Sequence, residues 1–276
     1  MLLNSALTAI YMAAGLGLGV WLKSLINEKR GSPEYKRRIN QRHIRHRQEF
    51  TPLHYVANFG SLDAVNILFE IGADLDSVNR SQGQTPLVMS IQAGHIETTA
   101  LLLRLGARIR RPRRLSLSRT CWKDPLEAVI TYHFGKREAA ELVFKYSGMS
   151  RLPSHPPRSK ISYLHLAARK GSVALLKFWL QHRPRDLVLR DKLGDTPLHY
   201  AAQCGFNSEV LYILLKAMLA EPKANAYLNL RVVEYALTST RDVPTLKLII
   251  EHYLRGSTKH KFMWALDCLL RNDFWL

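Results

Sequence analysis

Acidic residues are scarce in this chain, and two stretches have almost none. It carries 22 Asp+Glu against 40 Lys+Arg over 276 residues, a formal charge of +18. Cysteine is scarcer still. Cys121, Cys204 and Cys268 are odd in number and widely scattered, so they offer neither a disulfide framework nor a four-cysteine zinc site, and they favour a reducing compartment. What is abundant is apolar: 47% of residues are hydrophobic and 22% charged, a balance that suits a folded chain and excludes wholesale disorder.

The excess of cations is local. Residues 23–50 hold nine Lys/Arg and three acids, a net +6, and residues 104–123 hold eight Lys/Arg and no acid. These two stretches supply +14 of the +18, which leaves the other 228 residues nearly neutral. A nucleic-acid partner is therefore disfavoured: the basic runs lack interleaved aromatics, and no nucleic-acid-binding motif accompanies them.

Charge is wholly absent from residues 1–22. Leu2 to Leu22 comprises fifteen hydrophobic residues, three glycines and three small polar residues, and as a helix it would span about 30 Å. Trp21 and Leu22 are followed at once by Lys23, the order expected where a span meets the cytosol. This pattern reads as a single-pass anchor in the endoplasmic reticulum or mitochondrial outer membrane. A signal peptide and a buried core helix are its rivals. Gly15 and Gly19 form a small-xxx-small pair that would suit a weak homodimer of such spans. The glycines do not form a phosphate loop, lacking both its spacing and a preceding strand. Residues 23–49 read as a basic juxtamembrane linker or polar helix, with Tyr35 and Ile39 as a thin apolar line. Anionic lipid is the expected contact of residues 23–47, and a solvated linker is the alternative.

The rest of the chain repeats. Thr51-Pro52-Leu53-His54-Tyr55-Val56-Ala57 returns as Thr196-Pro197-Leu198-His199-Tyr200-Ala201-Ala202, with Thr85-Pro86-Leu87 and Ser162-Tyr163-Leu164-His165 between them. Gly60 and Gly94, then Gly72-Ala73 and Gly106-Ala107, keep the same interval of 34. Thr caps a helix, Pro suits its first position, and Gly ends it about two turns later. Leu62, Val65, Leu68 and Phe69 then space a second helix. A helix pair this small buries its apolar faces only by stacking on neighbours.

These landmarks resemble the ankyrin repeat over residues 50–255. The resemblance implies an all-α solenoid of stacked helix-turn-helix units, here preceded by the hydrophobic helix and closed by a capping helix over residues 256–276. The third unit, opening at Asp124-Pro125-Leu126-Glu127, and the sixth, around Val232 to Leu254, are degenerate. Unit starts at 51, 85, 124, 162 and 196 place insertions before and after the third unit. The second of these, with Pro153, Pro156 and Pro157, reads as extended and lying on the surface.

What the family resemblance implies is a non-catalytic protein-binding module without cofactor. Recognition would use the loop tips, here Arg80, Gln82, Gln84, Arg190, Lys192 and Asp195, and the concave face of the first helices. His54, His165 and His199 would hold backbone between units. The basic insertion adds Arg110, Arg111, Arg113 and Arg114, and residues 108–119 could equally meet anionic lipid or direct nuclear import. Ser116 follows arginines in a basophilic-kinase spacing and is a candidate phosphorylation site whose added charge would weaken docking. His43 and His46 lack the further ligands a metal needs, and no catalytic constellation stands out. The competing reading is a soluble protein whose basic loop binds acidic partners.

Overall fold

The computed structural model describes residues 39–40, 50–79, 82–109, 124–132, 137–147, 153–156, 161–204, 207–220, 230–239 and 242–255. The stretches at 1–22 and 256–276, which the sequence suggests as an anchor and a capping helix, lie outside them. So do Arg80, Arg110, Arg111, Arg113, Arg114 and Ser116. Among the described residues no helix is long and apolar enough to cross a membrane.

The chain divides into two compact units, Met1–Ser150 and Arg151–Leu276. The first contains the helix pairs α1 (Pro52–Phe59) with α2 (Leu62–Glu70), α3 (Pro86–Ala93) with α4 (Ile96–Arg104), and α5 (Pro125–Tyr132) with α6 (Arg137–Tyr146). The second contains α7 (Tyr163–Lys170) with α8 (Val173–His182), α9 (Pro197–Cys204) with α10 (Ser208–Ala220), and α11 (Leu230–Ser239) with α12 (Val243–Arg255). Within each unit first helices stack on first helices and second helices on second helices.

Local chemistry sets these elements. Thr85 Oγ1 accepts the Val88 N–H at 3.3 Å, and Asp124 Oδ2 does the same for Glu127. Each thereby satisfies a helix-terminal amide that has no partner inside the helix. Tyr163 stands where other units carry proline, and its ring packs 5.3 Å from that of Trp179, which is completely buried. The third unit's first helix is described over Pro125–Tyr132. The sixth pair, despite its poor motif, forms two helices with Val232, Val233, Ala236, Leu246 and Ile249 in the core.

Two places pack more closely than their composition suggests. The end of the basic linker is one of them. Ile39 is helical and only 1% exposed, while the Asn40 side chain donates to Gly72 O at 3.1 Å and accepts the Asp74 N–H at 2.7 Å. The proline-rich insertion is likewise not simply laid on the surface. Ser154 O accepts the Tyr163 N–H at 2.9 Å, and Ser154 Oγ donates to Asp186 at 3.2 Å and accepts from Arg183. Pro156 is buried. Asp186 and Arg183, 32 and 29 residues away, supply the polar anchor that composition could not reveal.

Candidate functional site

The histidine of the repeat is the hub from which the tips are positioned. Thr51 N–H donates to His54 Nδ1 at 3.1 Å, and His54 Nε2 lies 3.1 Å from Gln84 O of the next repeat. A nitrogen that accepts on one side and faces a carbonyl on the other is a neutral imidazole with its proton on Nε2. His165 repeats the arrangement, with Ser162 N–H at 3.3 Å and Asp195 O at 3.0 Å. Both histidines are fully buried, and burial pulls the His165 pKa below its ordinary value.

A pH dependence follows. Below its ordinary value of 6.5, His165 binds a proton more readily unfolded than folded. Its contribution to stability is complete above that pH and falls as pH drops from there towards its lower folded-state pKa. The melting temperature should decline between pH 7 and pH 5, and the less stable His165→Gln variant should decline less steeply. A thermal-melt series over that range measures both.

Each histidine-bound carbonyl closes a turn. In the first unit Asn79 Oδ1 accepts the N–H groups of Gln82 at 3.2 Å and Gln84 at 2.8 Å. In the second unit Asp191 Oδ1 takes the same role, accepting from Leu193 at 2.8 Å and Asp195 at 2.9 Å. Its second oxygen accepts the Tyr200 hydroxyl at 2.8 Å. Burial alone would raise the Asp191 pKa, but these hydrogen bonds hold it below the usual carboxylate value, and burial together with Asp191 pushes Tyr200 up to about 12.

The tip residues separate into two groups. Gln82, Arg190 and Lys192 are exposed. Gln84 and Asp195 are not: the tip reading places them outside, and the structure turns both side chains inward. Gln84 Nε2 donates to Gln92 Oε1 at 2.6 Å, and Asp195 Oδ1 meets Arg231 Nη1 at 3.0 Å. In a turn closed by Asn79 or Asp191, the carbonyl of the last residue accepts the N–H of Asn79 or Asp191 itself, and the side chain of that last residue faces the next repeat. Arg231 also donates to Leu193 O at 3.2 Å and to the Tyr235 hydroxyl at 3.2 Å. It clamps the tip to α11, and sequence reasoning misses it because Leu193 lies 38 residues away.

Leu193 escapes sequence reasoning as well, although the signal is present: an apolar residue in a turn of otherwise polar ones. It is 72% exposed, the most exposed of the large hydrophobic side chains among the described residues. At the edge of the basic insertion, Arg108 N–H donates to Asp76 Oδ1 at 2.7 Å and its guanidinium sits 3.3 Å from Oδ2. Ile109 is buried. Arg108 and Ile109, at the start of the insertion, thus belong to the packed structure. Burial raises the Asp76 pKa despite the bond and charge of Arg108.

Comparison with known proteins decides the family. The description "Ankyrin repeats (3 copies)" matches residues 10–113, and "Ankyrin repeats (many copies)" matches residues 164–215. The chain is an ankyrin-repeat protein. It is 29% identical to mouse Rabankyrin-5 over 178 residues, which is 63% of this chain and 14% of that protein. It is also 27% identical to the ankyrin repeat protein nuc-2 of Neurospora crassa, over 59% of this chain and 11% of the relative. The chain thus covers only about a seventh of these curated relatives or less. The crystal structure of the human ASB11 ankyrin repeat domain superposes with a TM-score of 0.65 at 22% identity, covering 90% of this chain and 98% of that one. That similarity establishes the stacked helix-pair fold. The matched families describe repeats and no catalytic domain. Among the described residues no group of three metal-ligating side chains converges.

Proposed function

We propose that this ankyrin-repeat protein is a non-catalytic adaptor whose partner docks on the exposed tips and first-helix ends. One observation carries the reading: over Arg190–Asp195 the two acids are engaged by neighbouring groups and the two cations are exposed. Asp191 is engaged by Tyr200 and backbone, and Asp195 by Arg231, while Arg190, Lys192 and Leu193 are exposed. A surface of two cations beside an apolar tip suits a protein segment carrying acids around an apolar anchor. The exposed Arg169 and Lys170 at the end of α7 extend the positive character of the same unit.

Affinity capture with the full chain, followed by binding of the purified partner, tests the proposal. The triple variant Arg190→Glu, Lys192→Glu, Leu193→Asp should keep its helical signal and melting temperature, yet lose binding at least ~10-fold, the loss of one good interfacial contact set. Unchanged affinity removes the tip from the account. Binding of the wild type should also weaken as salt is raised.

Attachment to a membrane through residues 1–22, with the repeats in the cytosol, is a further reading that rests on the uncharged run. Resistance of the full chain to alkaline carbonate extraction would support it, and release would remove it.

A further inference from the structure

Charge of opposite sign is segregated between the repeats. Residues 51–103 carry five acids (Asp63, Glu70, Asp74, Asp76 and Glu97) and one cation, Arg80, a net −4 in a chain of +18. Residues 162–204 carry seven Lys/Arg and three acids, a net +4. Those three acids are engaged within the chain: Asp186 by Arg183, Asp191 by Tyr200 and Asp195 by Arg231. Every exposed charged side chain between Ser162 and Cys204 is therefore a cation.

The acidic stretch also holds an apolar face. Leu62, Asn66 and Phe69 of α2 follow at intervals of four and three, so they share one stripe of the helix, and all three are exposed. Phe59, at the end of α1, is exposed as well. Three of the six large hydrophobic side chains exposed among the described residues thus fall within a stretch of eleven residues. Asp63 and Glu70 directly follow Leu62 and Phe69 and are exposed beside them. Neither pairs with a cation among the described residues, whereas the exposed Glu141 and Glu209 pair with Arg137 and Lys177.

We infer that this face of α2 receives the Arg190–Leu193 tip of a second copy of the chain. The tip calls for acids around an apolar anchor, and α2 is such a surface. The sizes agree too. Asp63 and Glu70 lie seven residues apart, about 10 Å along the helix. Arg190 and Lys192 are at most about 7 Å apart along an extended backbone, and their long side chains bridge the difference. Leu193 then meets Leu62 and Phe69. Exposed ion pairs add little energy, so the apolar contact supplies the attraction and the charges choose and orient the partner. The patch is small, and the association is weak and reversible. The overall charge of +18 opposes it, but salt screens that repulsion beyond about 8 Å at physiological ionic strength, while pairs in contact keep their attraction. A second copy held in this way occupies the tip that the proposed partner needs, so the two compete.

Sedimentation velocity of the purified full chain over a concentration series tests the inference. The average mass of the wild type should rise with concentration. The variant Asp63→Lys, Glu70→Lys and the variant Arg190→Glu, Lys192→Glu should each keep the helical signal and weaken self-association at least ~10-fold. Mixed together, the two variants should form a heterodimer, because one retains an intact tip and the other an intact α2 face. Misfolding of either variant could not produce that recovery. A wild type that is monomeric throughout overturns the inference, as does association that persists in both variants, the result expected of contacts through residues 1–22. A mixture that forms no heterodimer overturns it equally. The inference rests on the tip as a docking surface, yet the two readings fail separately. If the captured partner still requires Arg190, Lys192 and Leu193, only the second copy is removed; if it does not, the tip is removed from both.

Discussion

Replacing Trp179 by alanine should cost about 3–5 kcal/mol, within the range for deleting a large buried aromatic side chain. Trp179 is completely buried in α8. Its ring contacts Tyr163 on α7 and Phe178 beside it, each with centroids 5.3 Å apart, so it joins the two helices of its pair. Trp179→Phe should behave differently. The indole Nε1–H is buried without a hydrogen-bond partner among the described residues, a condition that costs roughly 1–3 kcal/mol in the wild type. Phenylalanine loses part of the ring's contacts but removes that orphan donor, so its net cost should stay below ~1.5 kcal/mol. Urea unfolding followed by the helical signal measures both variants. Near-equal losses would show that a phenyl ring cannot keep the contacts between α7 and α8 and that the indole N–H is no burden to the wild type.

The same contacts explain what is legible in the sequence. Thr-Pro-Leu-His and the two glycine positions specify local events: a capped start, a left-handed stop and a second apolar face. These recur whenever their residues recur, so the helix pairs can be read from residue order alone. The sixth pair is legible only as an apolar rhythm. Val232, Val233, Ala236 and Ile249 fill its core without the motif, because packing requires apolar volume at the right spacing rather than a given opening tetrapeptide.

The surface is less legible, for a reason that individual residues make plain. Gln84 and Asp195 close their turns as polar residues do, but their direction is set by His54, His165 and Arg231, all at least 30 positions away in sequence. Arg108 belongs by composition to the basic insertion, yet its amide and guanidinium are held by Asp76 across 32 residues. Ile39 has charged neighbours that suggest a solvated linker, whereas it is buried and Asn40 beside it is held by Gly72 and Asp74, more than 30 residues away. Local composition predicts whether a residue can be exposed. The stacking of one repeat on the next decides whether it is.

Gly60 shows that stacking most sharply, and Gly60→Ala should cost about 2–3 kcal/mol, more than its closest controls. Two effects combine. The residue ends α1 at φ +77°, a conformation that costs an L-residue roughly 1–2 kcal/mol. A Cβ built there would also lie 2.5 Å from Nδ1 and 2.6 Å from Cγ of His95, which leads into α4 of the next repeat. The ring must therefore move, and it would give up the bond its Nε2 makes to Asn58 O at 3.0 Å, worth about 1 kcal/mol. Gly106 and Gly194 share the positive φ but have nothing among the described residues within 4 Å of the added carbon. Gly106→Ala and Gly194→Ala should show the backbone cost alone. His95→Ala in the Gly60→Ala background removes the obstruction, so the double variant should be less destabilised than the sum of the two single changes. Strict additivity would mean that this stack needs Gly60 for its φ and not for the close passage of the next repeat, and thermal or urea unfolding of the wild type, the two single variants and the double variant decides between the two.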